Sequence, residues 1–190
     1  MAATYEKTDG DIREVLRTMF HSREFWAPDA YRAKVKTPFE FVVSAVRATN
    51  ADVTNAQVLV QTLQRLGMPL YGMQPPTGYS MKADAWVNSA ALVNRMNFAL
   101  ALGASRLNGI QWNPQTALSG ATLPGDASGA VAVAEGAFLG NDVSLSTHQT
   151  ILKQAQDPQV ATRNNVAQTS GPNLALIAGL IMGSPEFQRR

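Results

Sequence analysis

The 190 residues predict an all-α fold, an irregular bundle of about seven to eight helices with no significant sheet. Three observations carry this. Apolar residues recur at spacings of three and four through most of the chain. Capping residues stand where those patterns begin. No run of alternating β-branched residues marks a strand. The length suits a single helical domain over 1–190, with a candidate internal boundary at 107–128 that would separate a main core (1–106) from a smaller helical subdomain (129–190).

Asp9-Gly10-Asp11 predicts the cap of a first helix reaching about His21, with Ile12, Val15, Leu16 and Met19 on its apolar face. The segment Ser22–Pro28 ends it, and Phe25 and Trp26 are expected to fold back onto the core. A basic connector, Tyr31 to Lys36, leads to the clearest helix start in the chain. There Thr37-Pro38-Phe39-Glu40 has the form of a capping box with proline at the first helical position, where its missing N–H costs nothing. Phe39, Val42, Val43 and Val46 then make an apolar stripe. Arg47, at the end of this helix, has two readings: a ligand for an anion, or a helix-end arginine favoured by the macrodipole.

A third helix is expected after Thr54 or Asn55, with Ala56, Leu59, Val60, Leu63 and Leu66 inward, Gly67 at its C′ position and Pro69 barring extension. The loop from Leu70 to Tyr79 is rich in Pro, Gly and Tyr. A fourth helix, from Trp86 to about Leu102, carries apolar residues around much of its circumference and is expected to be central. From Gly109 to Gly129 the composition turns to Pro, Gly, Thr and Ser, with turns at Trp112–Pro114 and Leu123–Gly125. Helices follow at about 130–139 and 147–155, a short one after Asp157-Pro158, and a last one over Asn173–Gly183. These later helices, with few charges, are expected to be shorter and less well fixed. Ser22-Arg-Glu-Phe25 and Ser184-Pro-Glu-Phe187 echo each other, which fits a shared helix-stop more simply than a duplication.

Composition narrows the function. The net charge of +2 is spread thinly: eight of the 16 basic residues lie in the first 50 positions, but seven acidic residues accompany them. That balance argues against nucleic acid as a partner, and no apolar run approaches a membrane span. No cysteine is present, and the two histidines, His21 and His148, sit in no cluster at ligand spacing, so neither a metal site nor a cofactor is expected. Nucleophile elbow, P-loop, dinucleotide fingerprint and zinc-protease motifs are all missing. The nearest hydrolytic constellation would be His148 with Asp142 and Ser144 or Ser146. Thr150-Ile-Leu-Lys153 reads as a surface helix turn.

Several segments taken together resemble one family. They are Thr8-Asp-Gly-Asp11, Lys34-Val-Lys-Thr-Pro-Phe-Glu40 with Arg47, Leu66–Gly72, Pro75–Tyr79, Trp86 with Arg95, and Ser184–Arg189. In this order they look like the C-terminal part of the bacterial proteins catalogued as domain of unknown function 1800. Members are usually more than twice this length, and many carry export signals. The resemblance therefore implies an N-terminal helical region elsewhere and an extracytoplasmic location, periplasmic or secreted. It supplies no catalytic residue.

Two functional expectations follow. The first is a non-enzymatic binding or scaffolding module of an exported protein. Tyr71, Tyr79 and Trp86 would form an aromatic platform, with Arg47 and Arg95 as further binding residues. Its partners would be its own N-terminal region, another cell-surface protein or a glycan. The alternative is a hydrolase-like enzyme whose active site a further N-terminal region completes, with Glu40 as acid or base and Arg47 and Arg95 holding an anionic group.

Overall fold

The computed structural model describes residues 1–118, 124–157, 159–160 and 171–190, leaving aside the Thr116 side chain. It is predominantly helical, as the sequence predicts. The expected helix after Asp157-Pro158 and the turn at Leu123 fall outside the described residues or on their edge. Two compact units are present, Met1–Lys34 with Arg190, and Val35–Arg189.

The first unit holds α1 (Ala2–Lys7) and α2 (Ile12–Phe20). Asp11 caps α2 through the Arg13 and Glu14 N–H groups. Neither helix has a buried residue. Phe20, Phe25 and Trp26 meet edge to face, and the Trp26 indole N–H bonds the Phe20 carbonyl. The two aromatics after α2 thus fold back onto Phe20 and stay exposed, where the sequence suggests a core. Lys34 and Arg190 exchange backbone hydrogen bonds of 3.1 and 2.9 Å.

In the second unit α3 (Pro38–Ala48) begins as the sequence dictates. The Thr37 N–H donates to Glu40 Oε2 at 2.8 Å, and Thr37 Oγ1 accepts from the Glu40 N–H at 3.3 Å. Its buried face is not the expected one. Phe41, Val42 and Ala45 are inside, while Phe39 and Val43 are 45% and 37% exposed. Two overlapping stripes, 39/42/43/46 and 38/41/42/45, satisfy the same periodicity. Tertiary contacts choose the second, because the Phe41 ring meets both Phe98 and Phe187.

α4 (Gln57–Arg65) starts without a side-chain cap at Ala56. Of the two expected caps, Thr54 bonds the distant Gly109 carbonyl, while Asn55 Oδ1 accepts from the Gln57 N–H at 2.9 Å. Asp52–Val53 (β1) and Ile110–Gln111 (β2) form a two-stranded antiparallel ladder that no periodicity announces, since each strand is two residues long. A short helix, α6 (Pro114–Ala117), follows the ladder.

α5 (Ser89–Gly103), α7 (Ala127–Leu139), α8 (Leu145–Gln156) and α9 (Leu174–Gly183) build the core. Every residue of α9 from Leu176 to Gly183 is buried. The last helix is thus the best enclosed, contrary to the expectation that the C-terminal helices are loosely fixed. It packs most extensively on α5 and next on α7. Small residues permit this: a Cβ on Gly103 would collide with the Ala175 carbonyl, and one on Gly179 would lie 3.0 Å from Leu100 Cα. One buried cluster runs from Phe41 through Trp112 and Ala134 to Phe187.

Candidate functional site

The aromatic loop is largely self-satisfied. The Tyr79 hydroxyl donates to the Pro69 carbonyl at 2.6 Å, and the Trp86 indole N–H to the Ser80 carbonyl at 2.8 Å. The two rings lie 6.1 Å apart at 57°, and Trp86 is only 7% exposed. Trp86 follows a single 3-10 turn (Ala83–Ala85) and precedes α5. Tyr71 is fully exposed at φ +58°, with no ring partner among the described residues. The fold therefore brings Tyr79 and Trp86 together and leaves Tyr71 apart.

The two arginines are also separated. Arg47 is exposed in the last turn of α3. Arg95 is among the most deeply buried residues of the chain. Its Nη2 donates to the Lys36 carbonyl at 2.9 Å, its Nη1 to Gln188 Oε1 at 3.4 Å, and its guanidinium lies 5.3 Å from the Phe41 ring centroid. Nε is buried without an acceptor. Burial lowers the Arg95 pKa from its ordinary value. Beside it the Lys36 ammonium donates to the Phe187 carbonyl at 2.6 Å and covers the Phe187 ring. These cations tie the start of α3 to the C-terminal turn. Glu40 holds the capping box.

His148 meets Glu135, not Asp142: Nδ1 to Oε2 is 2.8 Å, with Glu135 on α7 4% exposed. The other Glu135 oxygen is buried without a hydrogen-bond partner. Ser144 caps α8 through the Thr147 N–H and shares a hydrogen bond with Ser146. No described serine hydroxyl bonds the histidine, so the nearest hydrolytic constellation the sequence offers does not assemble in the described residues.

A cleft of about 280 Å³ opens where α5, α8 and α9 meet. Met96, Ile151, Leu180, Gly183 and Pro185 make its apolar surfaces, and Ser146, Thr147, Thr150, Gln154 and Ser184 supply hydroxyls and an amide. None of these ten side chains titrates in the ordinary range. Thr147 Oγ1 donates to Glu186 Oε1 at 2.9 Å, and Thr150 Oγ1 to the Ser146 carbonyl at 2.7 Å. Burial acts to raise the Glu186 pKa. Hydrogen bonds from Ser144, its own backbone N–H and Thr147 outweigh that and hold it below the ordinary value. Apolar surface with a few convergent polar groups is the composition of a small-molecule or side-chain pocket, at the small end of the usual size range.

The sequence did contain a signal for this cleft. Ser146, Thr147, Thr150 and Gln154 stand at i, i+1, i+4 and i+8, a polar stripe along one side of α8 that runs beside Ile151. Read alone, such a stripe is an ordinary solvated face. Only the proximity of α9 and Met96 turns it into a wall.

The profile of the family described as "Protein of unknown function (DUF1800)" matches residues 1–189. The chain belongs to that family. Every described element of this DUF1800 chain, from α1 through α9, lies inside the match. No curated protein and no solved structure matches it. Among the described residues, no helix of the DUF1800 chain is long and apolar enough to cross a membrane.

Proposed function

We propose that this chain is a non-enzymatic helical binding module of an exported bacterial protein, with the α5–α8–α9 cleft as its ligand seat. One observation carries the reading: the cleft combines an apolar floor with hydroxyl and amide groups, and no titratable side chain lines it. General acid–base or nucleophilic chemistry needs an activated group within hydrogen-bond reach of the reacting atom. Here the threonine hydroxyl protons are already given to Glu186 and to the Ser146 carbonyl. A neutral ligand suits such a lining. At about 280 Å³ the cleft holds one sugar unit or one side chain of a longer molecule. A glycan or an uncharged stretch of a cell-surface protein has that chemistry.

The hydrolase-like alternative keeps one supporting observation, the His148–Glu135 pair with its unpartnered carboxylate oxygen. A single panel separates the two readings. Neutral oligosaccharides and uncharged peptides are screened for binding by saturation-transfer NMR, and the same mixtures plus simple esters are followed for turnover. The binding reading expects a ligand that Thr150→Trp, which fills the cleft, displaces without lowering Tm. Ester or glycoside turnover lost in His148→Ala would overturn it.

A further inference from the structure

The hydroxyls on the α8 wall of the cleft all direct their protons away from it. Thr147 Oγ1 lies 2.9 Å from Glu186 Oε1. Glu186 is ionised at neutral pH, and an ionised carboxylate only accepts, so Thr147 donates. That fixes the rest of the chain. Ser144 Oγ, 2.9 Å from Thr147 Oγ1, must donate to it, because the single threonine proton already goes to Glu186. Ser146 Oγ, 3.1 Å from Ser144 Oγ, must donate in turn. One turn further along α8, Thr150 Oγ1 gives its proton to the Ser146 carbonyl at 2.7 Å.

What these oxygens keep is lone pairs. A hydroxyl has one proton and two lone pairs. Among the described residues Ser146 and Thr150 retain both pairs, and Thr147, which accepts from Ser144, retains one. The carboxylate at the end of the chain draws the protons towards itself and leaves the oxygens more negative. Ser146 and Thr150 are exposed, and roughly 5–6 Å separates positions one turn apart on a helix face. A single ring bearing several hydroxyls can bridge that spacing.

The ligand that satisfies this wall brings several donors close together, carries no negative charge and has an apolar face. An uncharged peptide accompanies each N–H with a carbonyl that these hydroxyls leave unanswered. A sugar ring carries adjacent hydroxyls on its rim and C–H bonds across its face.

We propose that the cleft selects for hydrogen-bond donors: a neutral sugar ring gives its hydroxyl protons to Ser146, Thr147 and Thr150 and lays its C–H face on Met96, Ile151 and Leu180. This rests on the cleft being the ligand seat of the module.

Amide NMR titrations of the full chain test it, with the methyl glycosides of glucose, galactose, mannose and N-acetylglucosamine as probes. At least one is expected to perturb Ser146–Gln154, Met96 and Leu180. Deoxyfluoro analogues of that sugar keep its size and lose one donor. The analogue altered at a bonded hydroxyl is expected to bind about tenfold more weakly. Thr150→Val removes an acceptor with little change of shape and is expected to weaken the parent sugar by a similar factor. For the analogue lacking the hydroxyl that meets Thr150, the same substitution is expected to make no further difference, a coupling that a general loss of packing would not show. Fluorinated analogues that all bind as tightly as the parent overturn the proposal and leave the cleft standing as a ligand seat. Binding there of a blocked trialanine peptide, with none of the four sugars, does the same. If neither the sugars nor the peptide reach the cleft, the proposal and the ligand seat fall together.

Discussion

The Arg95 guanidinium donates to the backbone carbonyl of Lys36 across 59 residues of sequence, and no carboxylate among the described residues pairs with it. A buried cation held by a carbonyl, an amide and a ring face is there for geometry. Its charge costs desolvation, while its hydrogen bonds fix the chain entering α3 against Gln188. Arg95→Ala is expected to cost about 3 kcal/mol, through the cavity and the carbonyl left unpaired. Arg95→Met, which keeps the volume and removes the charge, is expected to cost less than half of that. Urea denaturation of the two variants checks the order.

The capping box separates a structural from a catalytic Glu40. Glutamine also closes a capping box, so Glu40→Gln is expected to lower Tm less than Glu40→Ala does, and Thr37→Ala to cost about 1 kcal/mol. Thermal melts of the three variants decide it.

Glu186 gives the acid limb of stability a definite sign. Its folded-state pKa lies below the ordinary 4.5, so the carboxylate binds protons more weakly folded than unfolded. Its contribution is present in full above pH 4.5 and is lost as the pH falls through the lower folded value. Glu186→Gln is expected to flatten that part of the stability–pH curve and to leave its slope above pH 6 or so unchanged. Denaturant midpoints measured across the acid range test this.

The approach of α5 to α9 is expected to reject side chains at two glycines. Gly103→Ala drives a methyl into the Ala175 carbonyl and is expected to cost about 3 kcal/mol. Gly179→Ala meets the Leu100 backbone at a longer distance and is expected to cost about half as much. Chemical denaturation gives both values.

These residues also mark what the sequence discloses. The α3 start was legible to the residue, because a capping box is made of four adjacent positions and needs nothing else. The echo of Ser22–Phe25 in Ser184–Phe187 was legible as a helix-stop for the same reason. In both copies the serine hydroxyl accepts from the phenylalanine N–H at 3.3 Å. The environments differ, since Phe187 is 4% exposed and Phe25 42%. Anything that depended on a distant segment was not legible. The buried face of α3 was decided by Phe98 and Phe187, the role of Thr54 by Gly109, and the role of Arg95 by Lys36 and Gln188. The cleft belongs with these, for its walls come from three helices between Met96 and Pro185.

The central claim is that ligands enter this cleft and are not transformed there. Amide chemical-shift mapping with a neutral oligosaccharide or uncharged peptide that binds the intact chain tests it most directly. Perturbations gathered at Ser146–Gln154, Met96 and Leu180, with the ligand recovered unchanged, are the expected result. Perturbations confined to the loop around Tyr71, Tyr79 and Trp86, or a ligand recovered cleaved, would contradict it.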